Sequence, residues 1–158
     1  MSGIIVGVDG SGHSQRALEW AAREAALRQT SLTVLTVEQV MAGWGGGTAP
    51  VVYPVDASDI ERARKLAQAE TDKVLEALGN RQPADVTVRA VSGVPAQELI
   101  RASDSADLLV VGSLGVGGLT RLLMGSVSSQ VTHLASCPVV VIPSDNPQLP
   151  DRTPSAAS

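Results

Sequence analysis

Five short runs of apolar, mostly β-branched residues alternate along the chain with segments of helical periodicity. The runs lie at 4–8, 32–37, 86–91, 108–111 and 139–142. Near-continuous apolar runs such as 4–8 and 108–111 are typical of strands buried on both faces of a parallel sheet, whereas Val86, Val88 and Val91 alternate with other residues as in a strand. Between them, apolar residues recur every three or four positions, as in amphipathic helices. The pattern predicts an α/β three-layer sandwich, with a five-stranded, mostly parallel sheet, about four helices and a Rossmann-like order.

Length and composition favour one globular domain. The 158 residues are 44% hydrophobic and 18% charged, which is sufficient for a core. A net charge of −4 and only two Trp, one Tyr and no Phe argue against a nucleic-acid partner. No run approaches the ~20 apolar residues that span a bilayer. We therefore expect a cytoplasmic protein with no membrane partner.

Cysteine and histidine are too scarce for several common kinds of site. Cys137 is the single cysteine, and the two histidines, His13 and His133, are far apart in the sequence. An internal disulfide and a multi-cysteine zinc site are excluded. We expect Cys137, which precedes a buried strand, to be a packed thiol. We expect His13 to be solvent-exposed and His133 to be a surface or interface residue.

Local signals set the expected element boundaries. Ser58 and Glu61 have the spacing of a capping box for a helix that Gly79 ends. Pro95 fits the first turn of the next helix. Glycines and prolines between 42 and 58 predict a long loop. The segment 144–158 is rich in Pro, Ser and Ala, so we expect a domain over 1–143 and a disordered tail.

A glycine-rich segment follows the fourth predicted strand. Glycines stand at 112, 115, 117, 118 and 125, and Ser126 begins a predicted helix. Glycine lets main-chain N–H groups approach an anion, and a helix amino terminus adds a positive dipole end. A phosphate site is one interpretation. The alternative is a tight turn with Ser126 as a cap, and no P-loop motif is present.

Asp9 ends the first predicted strand, at the edge of the sheet where parallel α/β proteins bind ligands. Its carboxylate could be a water-mediated ligand of a Mg²⁺ ion held mainly by phosphates. The alternative is that it accepts hydrogen bonds from the N–H groups of Ser11 or Gly12 at the entry to the first helix.

Three stretches of the chain resemble the universal stress protein family. They are Ile4-Ile5-Val6-Gly7-Val8-Asp9-Gly10-Ser11, then Gly93-Val94-Pro95-Ala96, and finally the stretch from Asp107 to Val141. The spacing Gly112-x2-Gly115-x9-Gly125-Ser126 is similar to that of the family's ATP-binding branch. The resemblance covers residues 1–143.

This resemblance implies an adenine nucleotide alpha-hydrolase-like fold that binds ATP, with Mg²⁺ expected, and a homodimer formed through the last strand, 139–142. It implies a stress-response or signalling module with at most slow hydrolysis and an unidentified protein partner. One departure is Leu114, where many members carry Arg; Arg121 is the nearest substitute in the sequence. The residues implied to bind the nucleotide, with Asp9 also a metal ligand, are Gly7, Val8, Asp9, Val37, Gly112, Ser113, Gly115, Val116, Gly117, Gly118, Gly125, Ser126 and Val127.

Other functions remain open at this stage. Leu114 leaves room for a variant that prefers AMP or cyclic AMP. An ATP-consuming transferase would need a base or a second substrate pocket that no motif indicates. A protein that only binds other proteins would use the glycine segment as a structural turn. Trp44, in the predicted loop, could close over a nucleotide, form a dimer contact or pack locally.

Overall fold

The computed structural model describes residues 3–44, 46–47, 49–113 and 126–143. Within these ranges the chain forms seven strands and four helices. In chain order they are β1 (Ile4–Val8), α1 (Gly12–Arg28), β2 (Ser31–Gln39), β3 (Met41–Trp44), β4 (Pro50–Tyr53), α2 (Ala57–Leu78), β5 (Asp85–Gly93), α3 (Pro95–Ser103), β6 (Leu108–Gly112), α4 (Ser126–Leu134) and β7 (Val139–Ile142).

Five of the strands form one parallel sheet in the order β5-β2-β1-β6-β7. This confirms the predicted α/β fold with a five-stranded parallel sheet. The central strands are apolar on both faces because helices cover both faces, and parallel strands need crossover connections that place helices there.

Alternate residues of the strands build two separate cores. Ile4 and Val6 pack in the core that includes α1 and α2, whereas Ile5 packs with Leu99 of α3 and Val131 of α4. The alanines of α1 are buried, four of them completely, and their small side chains let the helix lie close to the sheet. The predicted three-layer arrangement is therefore confirmed.

The amino end of α2 differs from the prediction. Asp56 is the N-cap, and its side chain accepts a hydrogen bond from the N–H of Ser58. The predicted capping box on Ser58 and Glu61 is wrong. Asp56, two residues before Ser58, is the last residue before the helix, and its carboxylate already accepts a hydrogen bond from the Ser58 N–H. Gly79, with φ 62°, ends the helix as expected, and Pro95 begins α3.

The segment predicted as a long loop, 42–58, contains a β-hairpin. β3 and β4 pair antiparallel, with Met41 opposite Tyr53 and Trp44 opposite Pro50. The expectation of a long loop is wrong because Gly46 and Gly47 lie between two paired strands, and Val51 and Tyr53 favour an extended strand. Pro50 is tolerated as the first residue of its strand.

The strand order reverses between β1 and β6. From β1 the chain proceeds to β2 and then β5 on one side, and it crosses to β6 and β7 on the other side. The crevice between two strands whose connections lead in opposite directions is the usual ligand site of open parallel sheets. None of the helices in the described ranges is both long and apolar enough to span a membrane.

Candidate functional site

The carboxyl ends of β1 and β6 lie level with each other, and β2 continues beyond them to Gln39. Val6 pairs with Val110 on one side, and Val8 pairs with Thr36 on the other. β1 ends at Val8 and β6 ends at Gly112, each two residues after the pair of Val6 and Val110. Asp9 therefore follows β1 at the same edge where the chain leaves β6, which is the reversal point of the sheet.

The Asp9 carboxylate is exposed and oriented by the first turn of α1. Its Oδ1 atom accepts hydrogen bonds from the Ser11 N–H at 2.9 Å and from the Ser11 hydroxyl at 2.5 Å. Its main-chain N–H donates to the Ser14 hydroxyl at 3.2 Å. The capping-type contact that the sequence left open, with Ser11 as donor, is therefore present. It holds the carboxylate in a defined position at the edge of the sheet.

The backbone beside Asp9 leaves open space. Gly10 has φ +80°, a left-handed conformation that favours glycine, and a Cβ placed there would meet nothing within 4 Å. The same is true of Gly12, the first residue of α1. An anionic ligand could approach this turn without displacing side chains of the described residues.

Gly7 and Val8 precede this turn but face the packed layers. Val8 is buried in the core with α1 and α2. A Cβ on Gly7 would lie 2.9 Å from Cδ2 of Leu99, so this glycine allows α3 to pack closely. What Val8 can offer a ligand is its main chain.

Val37 lies at the same edge on β2. It follows Thr36, the partner of Val8, and is therefore level with Asp9. On its other side it pairs with Val91 of β5, and it is half-buried against the core of α3 and α4. An apolar side chain and main chain at this height could contact the flat face of a base.

Two hydrogen bonds fix the exit of β6. The Ser113 N–H donates to the carbonyl of Ile142 in β7 at 2.9 Å. The Ser113 carbonyl accepts from the hydroxyl of Ser128 in α4 at 3.2 Å. Gly112 pairs with Ile142. The amino end of α4 is thereby held against the carboxyl end of β6.

The other predicted residues divide into two groups. Ser126 is exposed at the first position of α4, and Val127 is half-buried against the core of α3 and α4. The remaining residues predicted to bind the nucleotide, with Leu114 and Arg121, lie outside the described residues: Gly115, Val116, Gly117, Gly118 and Gly125.

A metal cation at this site would need oxygen atoms from a bound molecule in addition to those of the protein. Within the described ranges there is no group of three or more His, Cys, Asp or Glu residues that could hold a metal ion. Mg²⁺ commonly uses one or two carboxylates, substrate phosphates and water. The exposed Asp9 carboxylate fits that limited protein share.

Cys137 and the histidines do not form a nucleophilic site. Burial, together with the negative charge of Asp107, raises the pKa of the Cys137 thiol, although a hydrogen bond from the Leu109 main chain acts in the opposite direction. The thiol is therefore protonated at neutral pH and is a weak nucleophile. His13 lies in the first turn of α1, and His133 is exposed in the last turn of α4.

Sequence reasoning did not single out Ser14 or Ser128. Both are buried hydroxyls, 4% and 2% exposed, that tie a helix start to the end of a strand. A serine near a helix start usually indicates a cap, and no sequence signal distinguishes a cap from a contact with a distant strand.

The comparisons with known proteins agree with this geometry. The profile described as the universal stress protein family matches residues 1–143. A universal stress protein of Mycolicibacterium smegmatis is 38% identical over 145 residues, which are 91% of this chain and 49% of that protein. The chain spans about half the length of the curated relatives it matches.

Two solved structures resemble the whole described fold. A universal stress protein in complex with cAMP gives a TM-score of 0.64 at 26% identity, covering 89% of this chain and 95% of that chain. The universal stress protein of Archaeoglobus fulgidus in complex with dAMP gives 0.61 at 24% identity, covering 90% and 98%. At the latter identity the likeness concerns the fold alone.

Proposed function

Because the chain belongs to the universal stress protein family, we propose that it is an ATP-binding module of stress response or signalling. The nucleotide would bind at the carboxyl ends of β1, β2 and β6, within a binding unit formed by residues 1–143. The observation that carries the proposal is the reversal of strand order between β1 and β6, with the oriented Asp9 carboxylate on one side and the start of α4 on the other.

The described residues suggest a division of roles. Val37 would contact the adenine, mainly through its main chain, and Asp9 would reach the ribose or a phosphate-bound Mg²⁺. Gly7 and Val8 would line the same pocket through their main chains. Gly112 and Ser113 would lie against the ribose and first phosphates. The Ser113 N–H bonds to Ile142, so Ser113 would contribute atoms other than this donor.

The outer phosphates would bind at the start of α4. Ser126 and Val127 open a nine-residue helix, and the unpaired N–H groups of a helix amino terminus favour an anion. We assign the rest of the phosphate contacts to Gly115, Val116, Gly117, Gly118 and Gly125. Mg²⁺, when bound, would offset phosphate charge that these N–H groups leave uncompensated.

We propose hydrolysis that is slow at most. Efficient phosphoryl transfer requires a residue that orients the attacking water as well as groups that stabilise the phosphates. The sequence offers the second feature and no motif for the first. The protein would therefore act by holding a nucleotide, as a homodimer formed through β7.

A second candidate is a site that prefers AMP or cyclic AMP. Leu114 removes a positive charge that would favour a triphosphate, and the similar structure with a TM-score of 0.64 is a complex with cAMP. Fewer outer phosphate contacts are needed for such a ligand. Direct comparison of the nucleotides separates the two candidates.

Calorimetric titration of the full chain with ATP, AMP and cyclic AMP tests the proposal. We expect one ATP per chain and weaker ATP binding when EDTA removes Mg²⁺. Tighter binding of AMP or cyclic AMP would favour the second candidate. An absence of binding for all three, in protein that releases no nucleotide on denaturation, would overturn the proposal in favour of a protein that binds only other proteins.

A further inference from the structure

We infer that Ser128 is a positioning residue for the phosphate end of the nucleotide site, an inference that rests on the proposed function. Ser128 lies in α4, two residues after Ser126. Its side chain is 2% exposed, so it cannot be a surface contact. Its hydroxyl donates to the Ser113 carbonyl, 15 residues earlier in the chain, at 3.2 Å.

The acceptor of this hydrogen bond lies outside the helix, unlike the acceptors of comparable hydroxyls in α2 and α3. Thr71 donates to Ala67 within α2, and Ser103 donates to Ile100 within α3. Ser and Thr hydroxyls within helices usually donate to a main-chain carbonyl three or four residues earlier in the same helix. Ser128 instead joins its helix to the end of a strand, which makes it a link between two elements.

This hydrogen bond is one of two, among the described residues, that hold the main chain of Ser113, the residue that follows β6. The Ser113 N–H is held by Ile142 of β7 and its carbonyl by Ser128 of α4. Val131, one turn after Ser128, is fully buried and fixes the same face of α4 in the core. The apolar contact sets the distance of the helix from the sheet, and the hydroxyl contact sets its amino end against β6.

Loss of the Ser128 hydroxyl should weaken the binding of the phosphates more than the binding of adenosine. Main-chain donors stabilise an anion best when they are already fixed in position, since no ordering cost is then added on binding. Without the Ser128 hydroxyl, the amino end of α4 would lose its hydrogen bond to Ser113, the residue that follows β6. The proposed adenine and ribose contacts at Val37 and Asp9 are held by the pairing of β1 with β2 and by the hydrogen bond from Ser11.

The test compares ATP with adenosine, which lacks phosphates, in wild type and Ser128→Ala. We expect the Kd for Mg²⁺-ATP to rise roughly 3- to 10-fold in the variant, as for the loss of one hydrogen bond. The Kd for adenosine should rise by a clearly smaller factor, because Ser113 is only one of the residues proposed to lie against the ribose. Ser128→Thr, which keeps the hydroxyl, should restore ATP binding toward the wild-type value.

Thr132→Val is the matched control. The Thr132 hydroxyl donates to the Ser128 carbonyl at 2.6 Å within α4, so this variant removes a hydroxyl bond without touching Ser113. We expect unchanged affinity for both ligands. Equal weakening of ATP and adenosine by Ser128→Ala, or no weakening of ATP, would overturn the inference. Failure of the wild type to bind either ligand would instead overturn the proposed function, and the inference with it.

Discussion

Gly7 lies directly beneath Leu99, and this contact excludes a larger residue. A Cβ at position 7 would lie 2.9 and 3.0 Å from the two terminal carbons of Leu99, whose side chain is 4% exposed. We expect Gly7→Ala to lower the free energy of unfolding by about 1–3 kcal/mol, because the core must shift to admit the methyl group. Urea unfolding monitored by circular dichroism measures this change.

Gly12→Ala is the control for this substitution. A Cβ at Gly12 meets nothing within 4 Å, and alanine favours the helix that begins there. Its stability should match or slightly exceed that of the wild type. Equal stability of both variants would show that the contact between Gly7 and Leu99 is not tight.

Asp9 provides a charge that can be removed without removing the hydrogen bonds that it accepts from Ser11. In Asp9→Asn the side-chain carbonyl can still accept from the N–H and hydroxyl of Ser11, as Oδ1 does now. We expect stability to change by less than about 0.5 kcal/mol. The Kd for Mg²⁺-ATP should rise on the order of tenfold, as for the loss of a charged hydrogen-bond partner. Calorimetry measures this loss.

Asp56→Asn makes the same change of charge at the N-cap of α2 and should leave ATP binding unaltered, since Asn also caps helices well. A similar loss in both variants would indicate a general charge effect. Unchanged affinity in Asp9→Asn would remove Asp9 from the proposed site.

For single residues, the sequence predicts where a residue lies in the fold better than it predicts which distant residues it contacts. The place of Asp9 at a strand end follows from the apolar run that precedes it. The role of Ser128 does not, because its acceptor, Ser113, becomes a neighbour only when β6 and α4 are packed together. Likewise, the close packing of Gly7 depends on Leu99, which lies on a distant helix.

Among the elements, α2 allows a direct test of the corrected N-cap. Asp56 accepts from the Ser58 N–H at 3.3 Å, whereas Ser58 lies inside the helix. We expect Asp56→Ala to destabilise the protein by about 1 kcal/mol. Ser58→Ala should be neutral or slightly stabilising, because alanine has the higher helix propensity. Thermal unfolding of both variants distinguishes the two N-caps, and a larger loss in Ser58→Ala would restore the capping box.

Element types are largely predictable from this sequence, and pairing partners less so. The five strands of the main sheet and all four helices follow from apolar periodicity. The hairpin of β3 and β4 does not, because each strand has four residues and the surrounding glycines and prolines indicate a loop. Such short strands are specified by their pairing, which no single-strand pattern shows.

For the whole molecule, β7 is the strand through which we propose that two chains pair. β7 lies at one end of the sheet order. The carbonyl of Pro138 accepts a hydrogen bond from the N–H of Leu109 in β6, and that of Ile142 accepts one from the N–H of Ser113, which follows β6. Because main-chain groups alternate in direction along a strand, the N–H of Val141 faces away from β6. An edge strand with main-chain groups that point away from its sheet favours pairing with a second copy.

Val141→Pro should therefore yield a monomer. Proline removes the outward N–H and leaves the bonds to β6 in place. Val141→Ala, which shortens the side chain and keeps the N–H, should remain a dimer. Sedimentation equilibrium reports the masses. A monomeric wild type, or a dimer that persists in Val141→Pro, would exclude pairing through this strand.

The central claim is that a nucleotide binds where the strand order reverses. Backbone amide chemical shifts of the labelled full chain, followed as Mg²⁺-ATP is added, test this claim most directly. We predict that the largest changes fall at Gly7–Ser11, at Gly112 and Ser113, and at Ser126 and Val127. Changes confined to another surface, such as the groove between α1 and α2 lined by Glu19, Arg23 and Lys73, would contradict the account, as would no change at saturating ATP.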